Sequence, residues 1–156
     1  MADILVVDNE RVLADMMALL LRRRGHRVTV QTDVISAREH IRYRACDLVI
    51  TDLRMKGIDG DELVAALARE REAPPVILVT AETEYDVLSP LVELRVAAVL
   101  SKPFETAALL CTVDIALRNH IDSRELREAS READGMHGRR LDGLLRTLHE
   151  RDQQLE

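Results

Sequence analysis

Lysine is nearly absent from this 156-residue chain: 20 of its 22 basic residues are arginine, leaving only Lys56 and Lys102. Long apolar runs are missing too. None approaches the length of a membrane-crossing helix, and no charged-then-apolar leader precedes the first apolar run, so a cytoplasmic protein without a membrane partner is expected. Cysteine is limited to Cys46 and Cys111, with no metal-ligand spacing around either, and both read as buried, reduced thiols. Positive charge is not in excess. The formal net charge is −6, which argues against direct nucleic-acid binding, because such domains carry a basic stripe. The five histidines lack the spacing of a metal site or an acid–base pair and read as surface residues.

The chain is long enough for one domain and an appendage. Its first 119 residues alternate strand and helix patterns five times. Continuous apolar runs at 4–7, 47–51, 76–79 and 97–100 suit strands buried on both faces, and 27–31 alternates like a more exposed strand. Between them, Leu13, Met16, Met17 and Leu20 recur at helical spacing, closed by Gly25 in the position that favours a left-handed residue. Val34, Ala37 and Ile41 give a second helical stripe, and Leu63, Val64 and Leu67 a third, after the turn from Gly57 to Gly60. Pro90 interrupts the segment that should carry the fourth helix, so a short helix capped by Ser89 is expected after a long loop. The fifth begins near Glu105 and carries Leu109, Leu110, Val113 and Leu117.

Asp8, Asp52, Thr80 and Lys102 each fall at or just after the end of one of these runs. In an open parallel sheet the carboxyl ends of the strands share one edge, where ligands bind. Two carboxylates, a hydroxyl and an ammonium on that edge can hold a cation and an anionic group together, which suits phosphoryl chemistry. In a chain that otherwise uses arginine, Lys102 is a compact point charge for a phosphoryl oxygen.

From residue 120 to 156 charged residues dominate and no strand pattern appears, so a helical or coiled-coil-like extension is expected. Leu126, Ala129, Ala133 and Met136 keep heptad-like spacing, as do Leu141, Leu145, Leu148 and Leu155, but the two sets are out of phase. Gly135 and Gly138 lie at the break, which allows either one kinked helix or a hairpin. The narrow apolar stripe of so polar a helix suits a second chain; a solvated tail is the alternative.

Four segments in order and register, Ile4 to Glu10, Thr51 to Met55 with Gly57 to Gly60, Val79 to Ala81, and Ser101-Lys102-Pro103-Phe104, resemble the receiver domain of two-component response regulators. The resemblance covers residues 1–119. It implies a flavodoxin-like, doubly wound α/β fold with a five-stranded parallel sheet of order 2-1-3-4-5. It also implies that Asp52 accepts a phosphoryl group from a histidine kinase or histidine phosphotransfer protein. Thr80 and Lys102 would bind phosphoryl oxygens, and Mg²⁺ or Mn²⁺ would be held by Asp8, Asn9, Asp52 and the carbonyl of Arg54. A homodimer is expected, through the extension or through the face made by helix 4, strand 5 and helix 5, with an unidentified output protein or output domain.

Three positions depart from the family's pattern. Asn9 stands where a second acid is usual, so metal affinity should fall unless Glu10 turns inward. Val99 stands where an aromatic side chain usually swings behind the threonine, and Tyr85 is a candidate substitute. Lys56 replaces a common proline in the loop after Asp52. Arg54 and Glu82, each two residues past a key position, are candidates for controlling water access to an acyl phosphate. Two other classes compete. A pseudo-receiver that binds partners without phosphorylation is favoured by Asn9 and Val99 and opposed by Asp52, Thr80 and Lys102. A phosphatase acting on a diffusible substrate is opposed by Arg54, where such enzymes carry a second acid.

Overall fold

The computed structural model describes residues 1–53, 60–70, 72–94 and 96–153. Five strands, β1 (Asp3–Val7), β2 (Arg27–Gln31), β3 (Leu48–Thr51), β4 (Val76–Thr80) and β5 (Val96–Ser101), alternate with five helices. These are α1 (Arg11–Arg23), α2 (Val34–Tyr43), α3 (Gly60–Ala68), α4 (Tyr85–Glu93) and α5 (Thr106–Gln153). All strand pairs are parallel, in the order β2-β1-β3-β4-β5. The chain divides into two compact units, Met1–His120 and Ile121–Glu156.

In the first unit, side-chain alternation sorts the central strands between two cores. Ile4, Val6, Leu48, Ile50, Ile77 and Val79 point to one face, where Ala14, Met17 and Leu21 of α1 and Leu109, Val113 and Ala116 of α5 cover them. Leu5, Val7, Val49, Val76 and Leu78 point to the other, under Val34 and Ala37 of α2, Leu63, Val64 and Leu67 of α3, and Leu91 of α4. Because both faces are covered, β1, β3 and β4 have no polar face, which is why their sequences read as continuous apolar runs.

Three sequence expectations change. The buried face of α1 is Ala14, Met17, Ala18 and Leu21, while Met16 is exposed. The alanines let the helix sit close to the sheet, and Leu13 and Leu20 pack at its margin. Gly25 does close α1, with φ 89°. Its N–H donates to the Arg22 carbonyl and that of His26 to Leu21, the hydrogen-bond pair of a Schellman cap. Second, α4 starts at Tyr85, not Ser89, and carries Pro90 inside it. Burial of Leu91, with Val87 and Leu88 packed alongside, outweighs the one helical hydrogen bond that proline cannot make. Third, Cys111 is exposed rather than buried. Cys46 is half-buried, its thiol donating to the Leu48 carbonyl at 3.0 Å, and burial pushes it up to about 11.

His26 and His40 are half-buried. Burial lowers both below their ordinary value, helped at His26 by the chain's N-terminal charge and at His40 by Arg44.

In the second unit the helix continues through Gly135 and Gly138, so the hairpin alternative is not realised. At 100° per residue Leu126, Ala129, Ala133 and Met136 fall with Leu141 and Leu145 within about half of the helix circumference, and no break is needed to align them; Leu155 lies outside the described residues. From Ile121 to Arg146 every side chain but that of Ser123 is exposed, including Ile121, Leu126, Met136, Leu141, Leu144 and Leu145.

Candidate functional site

The sheet order places its switch point between β1 and β3. The two strands run in register, with Val7 opposite Thr51, so the next residues, Asp8 and Asp52, leave neighbouring strands at the same level. The backbone fixes both: the Asp8 N–H donates to Gln31 and that of Asp52 to Val7. Asp8 is fully buried and Asp52 is nearly so, as is Thr80. On the other side of β4, Thr80 is opposite Ser101, and the next residue, Lys102, donates its N–H to the Thr80 carbonyl at 2.9 Å. The Lys102–Pro103 peptide bond is cis.

From there the Lys102 side chain reaches back to the switch point. Its ammonium donates to Asp52 Oδ2 at 2.8 Å and to Asp8 Oδ2 at 2.9 Å. The Glu10 carboxylate lies 4.0 Å from the same nitrogen. Burial alone would push Lys102 down, but its hydrogen bonds to Asp52 and Asp8, with their charges, outweigh that and hold it above its ordinary value. Two carboxylates packed side by side with one ammonium retain a net negative charge at the bottom of a crevice.

The second oxygen of Asp8, Oδ1, accepts the Glu10 N–H at 2.9 Å, which turns the chain sharply out of β1 and into α1. The Thr80 hydroxyl accepts the Glu82 N–H at 3.1 Å. Glu82 Oε1 in turn accepts the N–H groups of Thr83 and Glu84, so its carboxylate organises the turn leading into α4.

Three of the four strand-end residues singled out in the sequence are therefore bonded to one another, and Thr80 is joined to Lys102 through the backbone. Asn9 and Glu10 are exposed at the rim. Val99 is half-buried in the core beneath α4, whereas Tyr85 is 79% exposed at the first turn of α4. Arg54 and Lys56 lie outside the described residues, so their proposed roles have no geometry here. Glu10 is the residue whose involvement sequence alone left open: its distance from Lys102 depends on the turn after Asp8.

The donor set suits a small hard divalent cation, which binds through one or two carboxylates and keeps several waters. Among the described residues, no three His, Cys, Asp or Glu side chains are gathered closely enough to cage a metal by themselves. Asp8 and Asp52 would thus provide two anchors in an otherwise open coordination shell.

A family model described as the response regulator receiver domain matches residues 4–114. The chain belongs to that family. Receiver domains are signalling modules, the phosphoacceptors of two-component systems, and the family works with histidine kinases and output domains. Among curated relatives, the sensory transduction protein RegX3 of Mycolicibacterium smegmatis is 35% identical over 124 residues, covering 79% of this chain and 54% of the relative. The chain thus spans about half the length of the curated relatives it matches. Among solved structures, NtrX of Brucella abortus aligns with a TM-score of 0.75 at 28% identity, over 81% of this chain and 29% of that one. Chemotaxis response regulator CheY4 of Vibrio cholerae aligns at 0.69 and 25% identity, over 74% and 98%. This receiver has no helix among its described residues long and apolar enough to cross a membrane.

Proposed function

We propose that Asp52 is the residue phosphorylated in this receiver, taking the phosphoryl group from a histidine kinase or a histidine phosphotransfer protein. The observation that carries this reading is the bridge from Lys102 to Asp52 and Asp8 at 2.8 and 2.9 Å. A carboxylate bonded to an ammonium supports a nucleophile at Asp52 beside the cation that would neutralise the incoming group. The Asp52 carboxylate attacks phosphorus as the phosphorus–nitrogen bond of the donor breaks, and the imidazole leaves with the bonding pair. Lys102 then pairs with one phosphoryl oxygen and the Thr80 hydroxyl turns to donate to another. Asp8, Asn9 and Asp52, with the Arg54 carbonyl implied by the family resemblance, would hold Mg²⁺ or Mn²⁺, which when bound neutralises phosphoryl charge. Catalysis is confined to the receiver's own phosphorylation and dephosphorylation.

The product is an acyl phosphate, and its lability tests the assignment. Label transferred from a phosphorylated kinase should be released by neutral hydroxylamine; label that survives would place the phosphate on a serine or threonine instead.

Phosphorylation adds roughly −1.5 to −2 charges at the crevice. Thr80 bonds to the turn that Glu82 organises ahead of α4, so withdrawal of its hydroxyl toward the phosphoryl group would loosen that turn. Val99 has no ring to follow it, which leaves α4 itself as the moving element.

The second unit supports a further part of this reading: it joins two copies of the chain. A helix without a packed face is marginal in water, yet this one exposes apolar residues along one half of its circumference. The solution mass should be twice the 17.6 kDa of one chain, and a single-chain mass at every concentration would exclude the pairing. The output is then an unidentified partner protein or an output domain.

A further inference from the structure

We propose that Glu10 supplies the negative charge that Asn9 withholds from the cation site, acting across the Lys102 ammonium rather than as a direct ligand. The inference rests on the reading that the crevice holds Mg²⁺ or Mn²⁺. Four observations converge on it.

Glu10 occupies the N-cap of α1, where a side chain ordinarily accepts a first-turn N–H. Glutamate is poorly suited to that task, and the Glu10 carboxylate makes no such bond. Its charge is not committed to the cap. Its backbone N–H is held by Asp8 Oδ1 at 2.9 Å, which ties the root of the side chain to the cluster. Its carboxylate then lies 4.0 Å from the Lys102 nitrogen that bridges Asp8 and Asp52. Asn9, the neutral residue between the two acids, faces solvent.

Charge decides what this arrangement does. Among the described residues, Asp8 and Asp52 against Lys102 leave one net negative charge, less than a divalent cation carries. The third carboxylate doubles that charge and balances it. The Glu10 side chain is 67% exposed, so its effect on a cation several ångströms away is moderate, about tenfold in affinity at low ionic strength. Added salt should reduce it.

Mn²⁺ binding, read from the spin-resonance signal of the free ion, measures this without reference to phosphorylation. Glu10→Gln should weaken binding about tenfold at low ionic strength. Asn9→Asp should tighten it, and in that background Glu10→Gln should cost clearly less, because the missing charge has been restored elsewhere. The metal-free melting midpoint of Glu10→Gln should match that of the unsubstituted protein, since no capping bond is lost. Unchanged affinity in Glu10→Gln, with binding abolished in Asp52→Asn, would overturn the assignment of Glu10 and leave the metal site standing. Failure of the unsubstituted protein to bind Mn²⁺ at all would remove the metal reading and this proposal together.

Discussion

Asp52→Asn is expected to reduce phosphoryl acceptance to background while leaving the fold intact. The amide has nearly the shape of the carboxylate but neither its charge nor its nucleophilic oxygen, so no acyl phosphate can form. The scaffold beneath it is insensitive to the change. Position 52 is held by its backbone N–H bonded to Val7, and Lys102 keeps Asp8 as a partner at 2.9 Å. Phosphate-affinity electrophoresis after treatment with a small acyl phosphate reads the outcome: a retarded band in the unsubstituted protein and none in the variant. Retardation that persists in Asp52→Asn would move the acceptor to another residue.

Lys102→Ala should have the opposite balance of effects, with a large cost in stability as well as in phosphoryl transfer. It removes the ammonium bonded to two side chains that are 1% and 9% exposed, and removing one partner of a buried ion pair is costly because the charge left behind loses that compensation. The crevice is open at its mouth, so water recovers part of the loss. A cost of about 2–4 kcal/mol is expected, lowering the melting midpoint by about 10 °C. Millimolar Mg²⁺ should restore part of that, since a divalent cation can take the ammonium's place between the carboxylates. Equal melting midpoints for the two proteins in metal-free buffer would show that the bridge does not hold the folded state.

The pH dependence of that bridge follows from the raised Lys102 value. A base whose folded value lies above its unfolded value contributes fully at pH below the unfolded value of 10.5. The contribution is lost as pH rises through the folded value. Lys102→Ala should therefore flatten the alkaline arm of the stability profile and leave its shape near neutrality unchanged.

The sheet and the position of all four strand-end residues along its carboxyl edge were readable in advance, because parallel strands buried on both faces leave unbroken apolar runs. A polar residue ending such a run has one place to go. What could not be read depended on packing between elements. Pro90 argued for a late, short α4, but Leu91 packed beneath it carries the helix back to Tyr85. The spacing of large residues in α1 suggested a face centred on Met16 and Met17, yet the alanines decide how close the helix approaches the sheet. Glu10 read either as an acid standing in for the one missing at Asn9, if the chain turned it inward, or as an ordinary first-turn acid. Only the turn made by Asp8 bonding the Glu10 N–H shows its carboxylate near Lys102. In the second unit, periodicity showed a stripe with a phase break, and the continuous helix shows that half a circumference absorbs it.

If Asp8, Asp52 and Lys102 form a phosphoryl-accepting crevice, the protein should take up one phosphoryl group. The most direct test is the intact mass of the unsubstituted protein after incubation with acetyl phosphate, with Mg²⁺ and with a chelator. The mass should increase by one phosphoryl group in Mg²⁺ and stay at its starting value when the metal is removed before the donor is added. An unchanged mass in both conditions would contradict the account and favour a receiver fold that serves only to bind partners.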